Sequence, residues 1–437
     1  MKTKPTGIHH IRIITLGCSK NTVDSEFLAG MLEKNGFSVS DDSSERETDA
    51  VIVNTCGFIN DAKEQSVDVL LENLEKKKNG SLKKVYAIGC LVQRYKTELL
   101  IELPLLDGIY GLNEVPQLIK DIGGKEILEL YGKRLLTTPP HYAYLKISDG
   151  CDRKCSFCAI PLIKGRHQSR TVESLVEETT RLAEKGVKEI ILIAQDLTAY
   201  GKDMNRKQLL SELIDQLSLI KGIEWIRLHY LYPSEVRDEL IDTIKSNHKV
   251  CRYLDIPLQH ISDRILLSMK RGINTKQTYQ IVDKLRRQIP GIALRTSLIT
   301  GYPGETSQEF IEMKKFIKDI RFERLGIFKY SHEEDTAAYK LADDVPKRTK
   351  ESRYRALMET QQDISYTNNM SYTGKIMKVL VDDYKNGTLF ARTESDSPEI
   401  DNLVIIKNQL KKIPPGLFIN VKITGADIYD LFAEIEN

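Results

Sequence analysis

From His9 to about Lys125 short apolar runs alternate with segments of helical periodicity, the pattern of a parallel sheet covered by helices. Ile11–Leu16, Ala50–Asn54 and Lys84–Ile88 are its predicted strands. Tyr131–His141, ending in Thr-Thr-Pro-Pro-His, has no periodicity and marks a domain boundary. Beyond it come six strand-like runs, each followed by a helical one: Ala143–Ser148, Glu189–Ala194, Trp225–Tyr230, Arg252–Ile256, Ala293–Ile299 and Arg324–Tyr330. Six units in place of eight predict an open, partial (β/α) barrel of the TIM kind. Ala356 to about Asn369 reads as the end of a helix. Five β-rich runs follow, Ile376–Val381, Leu389–Arg392, Leu403–Ile406, Phe418–Ile423 and Tyr429–Ile435, with turn signals at Asn386-Gly387 and Pro414-Pro415-Gly416. They predict a small antiparallel β-barrel of the oligonucleotide-binding type. The expected fold class is α/β, with domains at 9–127, 137–368 and 369–437.

The chemistry concentrates in Asp149-Gly-Cys-Asp-Arg-Lys-Cys-Ser-Phe-Cys158, where Cys151, Cys155 and Cys158 form C-x3-C-x2-C. One loop can turn three thiolates toward one metal centre. An iron–sulfur cube needs four ligands, so three cysteines leave one iron open, and an open site marks a reactive metal. A zinc knot completed by His167 is the plainer alternative, but closed zinc sites usually pair their ligands as C-x2-C with a second pair. A disulfide framework does not suit a long chain with seven cysteines and no secretory signal.

Three further cysteines each follow a predicted strand: Cys18 in Leu-Gly-Cys-Ser-Lys, Cys56 in Asn-Thr-Cys-Gly-Phe and Cys90 in Ile-Gly-Cys-Leu. The carboxyl ends of parallel strands share one edge, where ligands bind, so residues some 35 apart in sequence can meet there. Adjoining glycines, Gly17, Gly57 and Gly89, allow close backbone approach. The set predicts a second three-cysteine cluster, against the alternative of three small buried apolar residues.

On the barrel rim fall Gln195 and Asp196, Pro233 and Glu235, Gln259 and His260, and the loop Gly301-Tyr-Pro-Gly-Glu-Thr306. Gly301 and Gly304 could let backbone amides approach a cofactor; a plain turn with Thr306 capping the next helix is the alternative. His260 reads as a satisfied loop histidine, and Cys251 as a core residue.

Composition adds little. The 437 residues carry a formal charge of +2, without the basic excess usual in nucleic-acid binders. No leader and no apolar run of about 18 residues is found, so a cytoplasmic protein without membrane contact is expected. From Tyr372 onward eight Lys and Arg face ten Asp and Glu, a net of −2 that suits a basic protein partner better than a phosphate backbone.

With the aromatic Phe157 before its last cysteine, the central loop resembles the radical S-adenosylmethionine signature. Over nearly the whole chain the three segments resemble the methylthiotransferases, with a three-cysteine amino-terminal domain, a radical barrel and a terminal TRAM domain. Leu16-Gly-Cys-Ser-Lys-Asn-Thr-Val-Asp-Ser-Glu26, Gly150-Cys-Asp-Arg-Lys-Cys-Ser-Phe-Cys-Ala-Ile-Pro161 and Asp255-Ile-Pro-Leu-Gln-His-Ile-Ser-Asp263 are similar to the branch that modifies an aspartate of the small-subunit ribosomal protein S-twelve.

The resemblance implies two [4Fe-4S] clusters, on Cys18, Cys56 and Cys90 and on Cys151, Cys155 and Cys158. It implies S-adenosylmethionine used twice, as methyl donor and as radical source, with Phe157, Gln195, Gly301 and Gly304 as cofactor contacts. A one-electron reductant and the S-twelve protein are the expected partners, with nucleic acid not the direct substrate. No catalytic acid or base is assigned, because an unactivated carbon–hydrogen bond offers no acidic proton. Both open irons are expected to face one cavity. The competing readings are a transfer-RNA methylthiotransferase with the same chemistry and a non-catalytic metal-binding scaffold.

Overall fold

A computed structural model describes residues 7–42, 46–125, 134–204, 208–408 and 412–436. The chain divides into two compact bodies. The first holds Met1–Thr137 together with Gly150–Arg153 and Cys158–Arg166; the second holds Thr138–Asp149, Lys154–Phe157 and His167–Asn437. The expected domain limits at 127 and 437, and the start of the connector at Tyr131, lie outside the described residues.

In the first body the parallel strands β1 (His10–Thr15), β2 (Ser38–Ser40), β3 (Ala50–Thr55), β4 (Lys84–Gly89) and β5 (Gly108–Tyr110) lie in the order β2-β1-β3-β4-β5. The three predicted strands appear within a residue of their expected ends. Helices α1 (Ser19–Lys34), α2 (Asn60–Lys78), α3 (Cys90–Glu102) and α4 (Val115–Asp121) connect them. All six residues of β3 are buried, as suits a central strand covered on both faces. Its Val51 and Val53 share a core with Leu70 and Leu74 of α2. The connector is pinned to α1: Arg134 Nε (2.6 Å) and the Thr137 amide (2.7 Å) and hydroxyl (3.1 Å) all donate to the buried carboxylate of Glu26.

The second body begins with β6 (Tyr142–Lys146). The two-residue strands β7 (Ser148–Asp149) and β8 (Gln168–Ser169) then pair antiparallel and bracket the cysteine loop and its short helix α5 (Ile160–Lys164). With β9 (Glu189–Ile193), β10 (Trp225–Leu228), β11 (Val250–Asp255), β12 (Ala293–Thr300) and β13 (Arg324–Lys329), β6 forms a six-stranded parallel sheet in sequence order, from β6 at one edge to β13 at the other. The expected open, partial barrel is thus present. Its helices are α6 (Val172–Glu184), α7 (Leu210–Ser218), α8 (Asp238–Ser246), α9 (Asp263–Ser268), α10 (Thr275–Gln288), α11 (Ser307–Ile320) and α12 (Lys347–Met370).

After α12, strands β14 (Ile376–Lys385), β15 (Thr388–Thr393), β16 (Val404–Ile406), β17 (Phe418–Ala426) and β18 (Leu431–Ile435) close into a barrel in the order β14-β15-β16-β18-β17. The expectation of an antiparallel barrel needs one correction: β16 and β18 pair parallel, while the other four pairings are antiparallel. A hairpin cannot join parallel neighbours, and here β17 intervenes in the chain.

The segment between β15 and β16 lays its polar groups against residues of β6, β11, β12 and β13. Asp396 accepts from Arg324 Nε at 2.9 Å, and Asp401 accepts from the Tyr253 hydroxyl at 2.8 Å with Arg295 beside it at 3.4 Å. Glu399 accepts from the hydroxyls of Tyr142 and Tyr144, at 2.7 and 3.1 Å. On β15, fully buried Arg392 bridges Glu189 (2.8 Å) and Asp382 (2.7 Å). The acidity of this terminal segment is therefore partly internal. Setting aside Asp382, Asp396, Asp401 and Arg392 leaves seven acids against seven lysines, with no net sign. The inference of a basic partner from that charge is withdrawn, because three of the carboxylates are already paired with arginines of this chain.

Candidate functional site

The first site is built at the carboxyl edge of the five-stranded sheet. In the order β2-β1-β3-β4-β5 the winding direction switches between β1 and β3, and crevices for ligands open at such switch points. Cys18 and Cys56 follow β1 and β3, and Cys90 opens the helix after β4, next in the sheet. The loops touch. A Cβ on Gly17, whose φ is +93°, would lie 2.7 Å from both Cβ and Sγ of Cys56, and one on Gly57 would lie 2.6 Å from the Leu91 Cα and 2.9 Å from the Cys90 carbonyl carbon. Only glycine permits both approaches.

Asn21, in the first turn of α1 and 1% exposed, ties the three loops together. Its Nδ2 donates to the Leu16 carbonyl (2.9 Å) and the Thr55 carbonyl (3.2 Å), and its Oδ1 accepts from the Cys90 thiol at 3.7 Å. Asn54 returns the bond, donating to the Asn21 carbonyl at 3.0 Å. Asn21 and Asn54 were not singled out from sequence, although Asn21 lies three residues after Cys18, inside the stretch that carries the family resemblance.

Cys18 is exposed, while Cys56 and Cys90 are buried. Burial pushes the Cys56 thiol up, opposed by the Phe58 amide and reinforced by nearby Cys18. Burial also pushes Cys90 up, to about 12, with Lys164 opposing it and Cys18 and Cys56 adding to it. Thiols kept protonated by burial, as those of Cys56 and Cys90 are, take a metal only by releasing protons to it. Among the described residues no three His, Cys, Asp or Glu side chains close on a single ion. A cube of four irons spreads its ligands by its own width. The donor set of soft sulfurs on converging loops fits such a cube.

Within the same body α5 packs on this edge. Ala159 and Ile163 form an apolar cluster with Cys90, and Lys164 pairs with Asp24 at 3.0 Å. The residue following Cys158 thus touches a cysteine of the first set.

The second site lies on the loop after β7, which carries Cys151, buried, and Cys155 and Cys158, both half-buried. Its middle is anchored in the second body: the Ser156 amide donates to the Met269 carbonyl, and its hydroxyl donates to the Ser268 carbonyl at 2.8 Å and meets the Tyr302 hydroxyl at 2.9 Å. Phe157 packs among Ile265, Met269, Tyr302 and Tyr330, so its ring holds the loop down. Arg271 Nη1 donates to Cys155 Sγ at 3.3 Å, a contact with no signal in the sequence.

At the neighbouring strand ends Gln195 donates through Nε2 to Asp149 Oδ1 at 2.9 Å, leaving its Oε1 buried without a hydrogen bond; Ser148 Oγ is in the same condition. Buried polar atoms are nearly always paired, so two orphans at this edge fit a polar ligand. The Gly301 amide is taken by Glu305 Oε2 (2.8 Å) and the Gly304 amide by Asp344 (2.7 Å), so neither is free in the loop as it stands. Thr306 forms the expected cap, a capping box with Glu309. His260 is fully buried, accepting the Ser262 amide at 3.0 Å with Nε2 3.4 Å from Glu305. His167 Nε2 meets Ser169 at 3.0 Å, and Cys251 packs with Trp225 and Tyr253 in the core, as expected.

Comparisons with known proteins identify the family. The radical SAM superfamily model matches residues 145–317, the Uncharacterized protein family UPF0004 model 10–111 and the TRAM domain model 373–435. The radical S-adenosylmethionine methyltransferase TsrM from Kitasatospora setae, solved with cobalamin and a [4Fe-4S] cluster, is similar in fold with a TM-score of 0.54 at 16% identity, over 74% of this chain and 72% of that one. Fold and matched models together define a radical S-adenosylmethionine enzyme. A protein of Flavobacterium johnsoniae named ribosomal protein uS12 methylthiotransferase RimO is 47% identical over 99% of this chain and 100% of its own length. One of Bacteroides thetaiotaomicron with the same name is 48% identical over 98% of each chain. The chain belongs to the RimO family of radical S-adenosylmethionine methylthiotransferases. Its cofactors are S-adenosylmethionine and [4Fe-4S] clusters. No helix among the described residues is long and apolar enough to cross a membrane.

Proposed function

We propose that this enzyme adds a methylthio group to the β-carbon of an aspartate of ribosomal protein uS12, the S-twelve protein of the resemblance. The observation that carries this is the full-length match, at 46–48% identity, to relatives named for that reaction. In this reading Cys18, Cys56 and Cys90 hold one cluster and Cys151, Cys155 and Cys158 the other, each set leaving one iron for a ligand that is not protein. When bound, S-adenosylmethionine supplies the methyl group and, on one-electron reduction, the means of removing an unactivated hydrogen. Gln195 Oε1 and Ser148 Oγ offer buried acceptors to the cofactor's amino group. Ser156 and Phe157 fix the loop so that its cysteines stay in place, and Gly301 and Gly304 shape the loop beside them. The domain limits are read as 9–127, 137–368 and 369–437. The reaction belongs in the cytoplasm, where thiols stay reduced, with a one-electron reductant as further partner.

The test is mass spectrometry of uS12 and of unmodified transfer RNA, each incubated anaerobically with the reconstituted, reduced enzyme, S-adenosylmethionine and a sulfide source. One methylthio group on an aspartate of uS12 is the expected result. The same gain on the transfer RNA overturns the substrate and keeps the chemistry.

A further inference from the structure

Seven arginines are buried among the described residues, and six of them, Arg134, Arg170, Arg227, Arg324, Arg353 and Arg392, face a carboxylate. Arg271 does not. It is 5% exposed, no carboxylate among the described residues lies within ion-pair distance, and its Nε is buried without a hydrogen bond. Its Nη2 donates to the Pro257 carbonyl at 2.6 Å, the face of Tyr232 lies 4.4 Å from the guanidinium, and the Tyr232 hydroxyl donates to the Arg271 carbonyl. Every one of these groups is neutral. Its remaining partner is Cys155 Sγ, 3.3 Å from Nη1. An unpaired buried cation is costly, so a fold that keeps one normally brings a counter-charge to it. A protonated thiol supplies none; a thiolate carried into a cluster does.

We propose that Arg271 is a positioning residue for the cluster on Cys151, Cys155 and Cys158: its guanidinium bonds the Cys155 sulfur, supplies the fixed positive charge beside it and raises the cluster's reduction potential. The inference rests on the reading of Cys155 as a ligand. Its physical basis is that one added electron makes the cluster more negative, so a cation held against a ligand sulfur stabilises the reduced form more than the oxidised one. Hydrogen bonds to the sulfurs act in the same direction. The neutral groups around Arg271 hold the guanidinium in place by the fork and the ring face, and do not cancel its charge.

The test uses the full chain with Cys18→Ala, Cys56→Ala and Cys90→Ala, so that only this cluster loads, reconstituted anaerobically with iron and sulfide. Iron content, melting temperature without iron, and the midpoint potential from a spin-resonance titration are compared between this parent and its Arg271→Met and Arg271→Gln derivatives. The expected result is about four irons in each, with the reduced-to-oxidised ratio of the derivatives at least tenfold lower at the poise where the parent is half reduced. That is 59 mV for a one-electron couple. Loaded derivatives that titrate with the parent overturn the proposal. Derivatives that hold no iron but melt, without iron, no lower than the parent uphold the counter-charge, since they have shed an unpaired cation. Loss of iron with lowered melting makes Arg271 a plain structural residue and overturns it. A parent that itself takes up no iron refutes the ligand assignment instead, and is told apart by that alone.

Discussion

Replacing Arg392 by methionine is the sharpest probe of how the small barrel is bound to the sheet. Arg392 is fully buried, and its guanidinium donates to Glu189 Oε2 (2.8 Å), to both oxygens of Asp382 (2.7 and 3.0 Å) and to the Asp396 carbonyl (3.1 Å). Glu189 is itself fully buried; burial raises its carboxyl, and Arg392 and then Arg227 outweigh that and hold it below the ordinary range. Without Arg392, Glu189 keeps only Arg227, and Asp382 keeps only His141. Removing one partner of a buried pair costs about 3–5 kcal/mol, chiefly because a charge is left behind. For a body of roughly 290 residues the unfolding entropy is on the order of 0.6 kcal/mol/K, so the melting temperature should fall by about 5–8 °C.

The assay is thermal unfolding at neutral and at acid pH, with Arg355→Met as control. Arg355 is exposed and pairs only with Glu351 four residues earlier on α12, and its loss should cost under about 0.5 kcal/mol. The sign with pH follows from Glu189. A carboxyl whose folded value is depressed adds stability that is present above its unfolded value and is lost as pH falls through the folded one. The gap between parent and Arg392→Met should therefore narrow below the ordinary glutamate range. An Arg392→Met protein that melts within a degree of its parent at neutral pH, or a gap that widens in acid, refutes the reasoning.

Gly17→Ala places a Cβ 2.7 Å from Cys56 Sγ at a φ of +93°, so it should cost at least about 1–2 kcal/mol and lower the iron taken up by a chain lacking Cys151, Cys155 and Cys158. In that background Asn21→Ala should also lower iron uptake, since it unties the loops of Cys18, Cys56 and Cys90; full iron uptake in either variant counts against a cluster there. Cys251→Ser should reduce melting temperature and leave iron content unchanged, because Cys251 sits in a separate core. For Glu309, burial raises the carboxyl, but Arg264, the Thr306 amide and Ser262 outweigh it and hold it at about 2. Its stabilisation is present above the ordinary glutamate value of 4.5 and is lost as pH falls toward 2, so Glu309→Gln should flatten the acid-denaturation curve in that window.

The parts of this enzyme legible in its sequence are those whose chemistry is local. A strand ends, a cysteine follows, and a glycine beside it lets another loop come close; β1, β3 and β4 repeat that arrangement and were found within a residue. The same reading missed β2 and β5, three residues each, too short to carry a period. It placed the loop Gly301–Thr306 on the rim but not Asp344, the partner of the Gly304 amide, because a carboxylate 40 residues away leaves no trace near Gly304. Arg271 was invisible for the same reason: Met-Lys-Arg-Gly is an ordinary polar turn until Pro257, Tyr232 and Cys155 are brought around it.

Charge is where the sequence misled, and the cause is general. Net charge counts every carboxylate as if it faced solvent, yet the segment after β15 spends Asp396 and Asp401 on Arg324 and Arg295 of the neighbouring sheet. A surface argument needs the charges that remain after such pairs are removed, and here nothing remains of the acidic excess. The choice of uS12 over transfer RNA therefore rests on full-length similarity to named relatives, not on the electrostatics of the small barrel. What those internal pairs do is mechanical: they join the small barrel to β9, β12 and β13 of the six-stranded sheet. The barrel is fastened by buried arginines, and the exposed lysines Lys375, Lys378, Lys385 and Lys422 form none of those pairs. Exchanging these four lysines for glutamine should therefore leave melting temperature and iron content unchanged. A fall in melting temperature would show that they share in fastening the barrel.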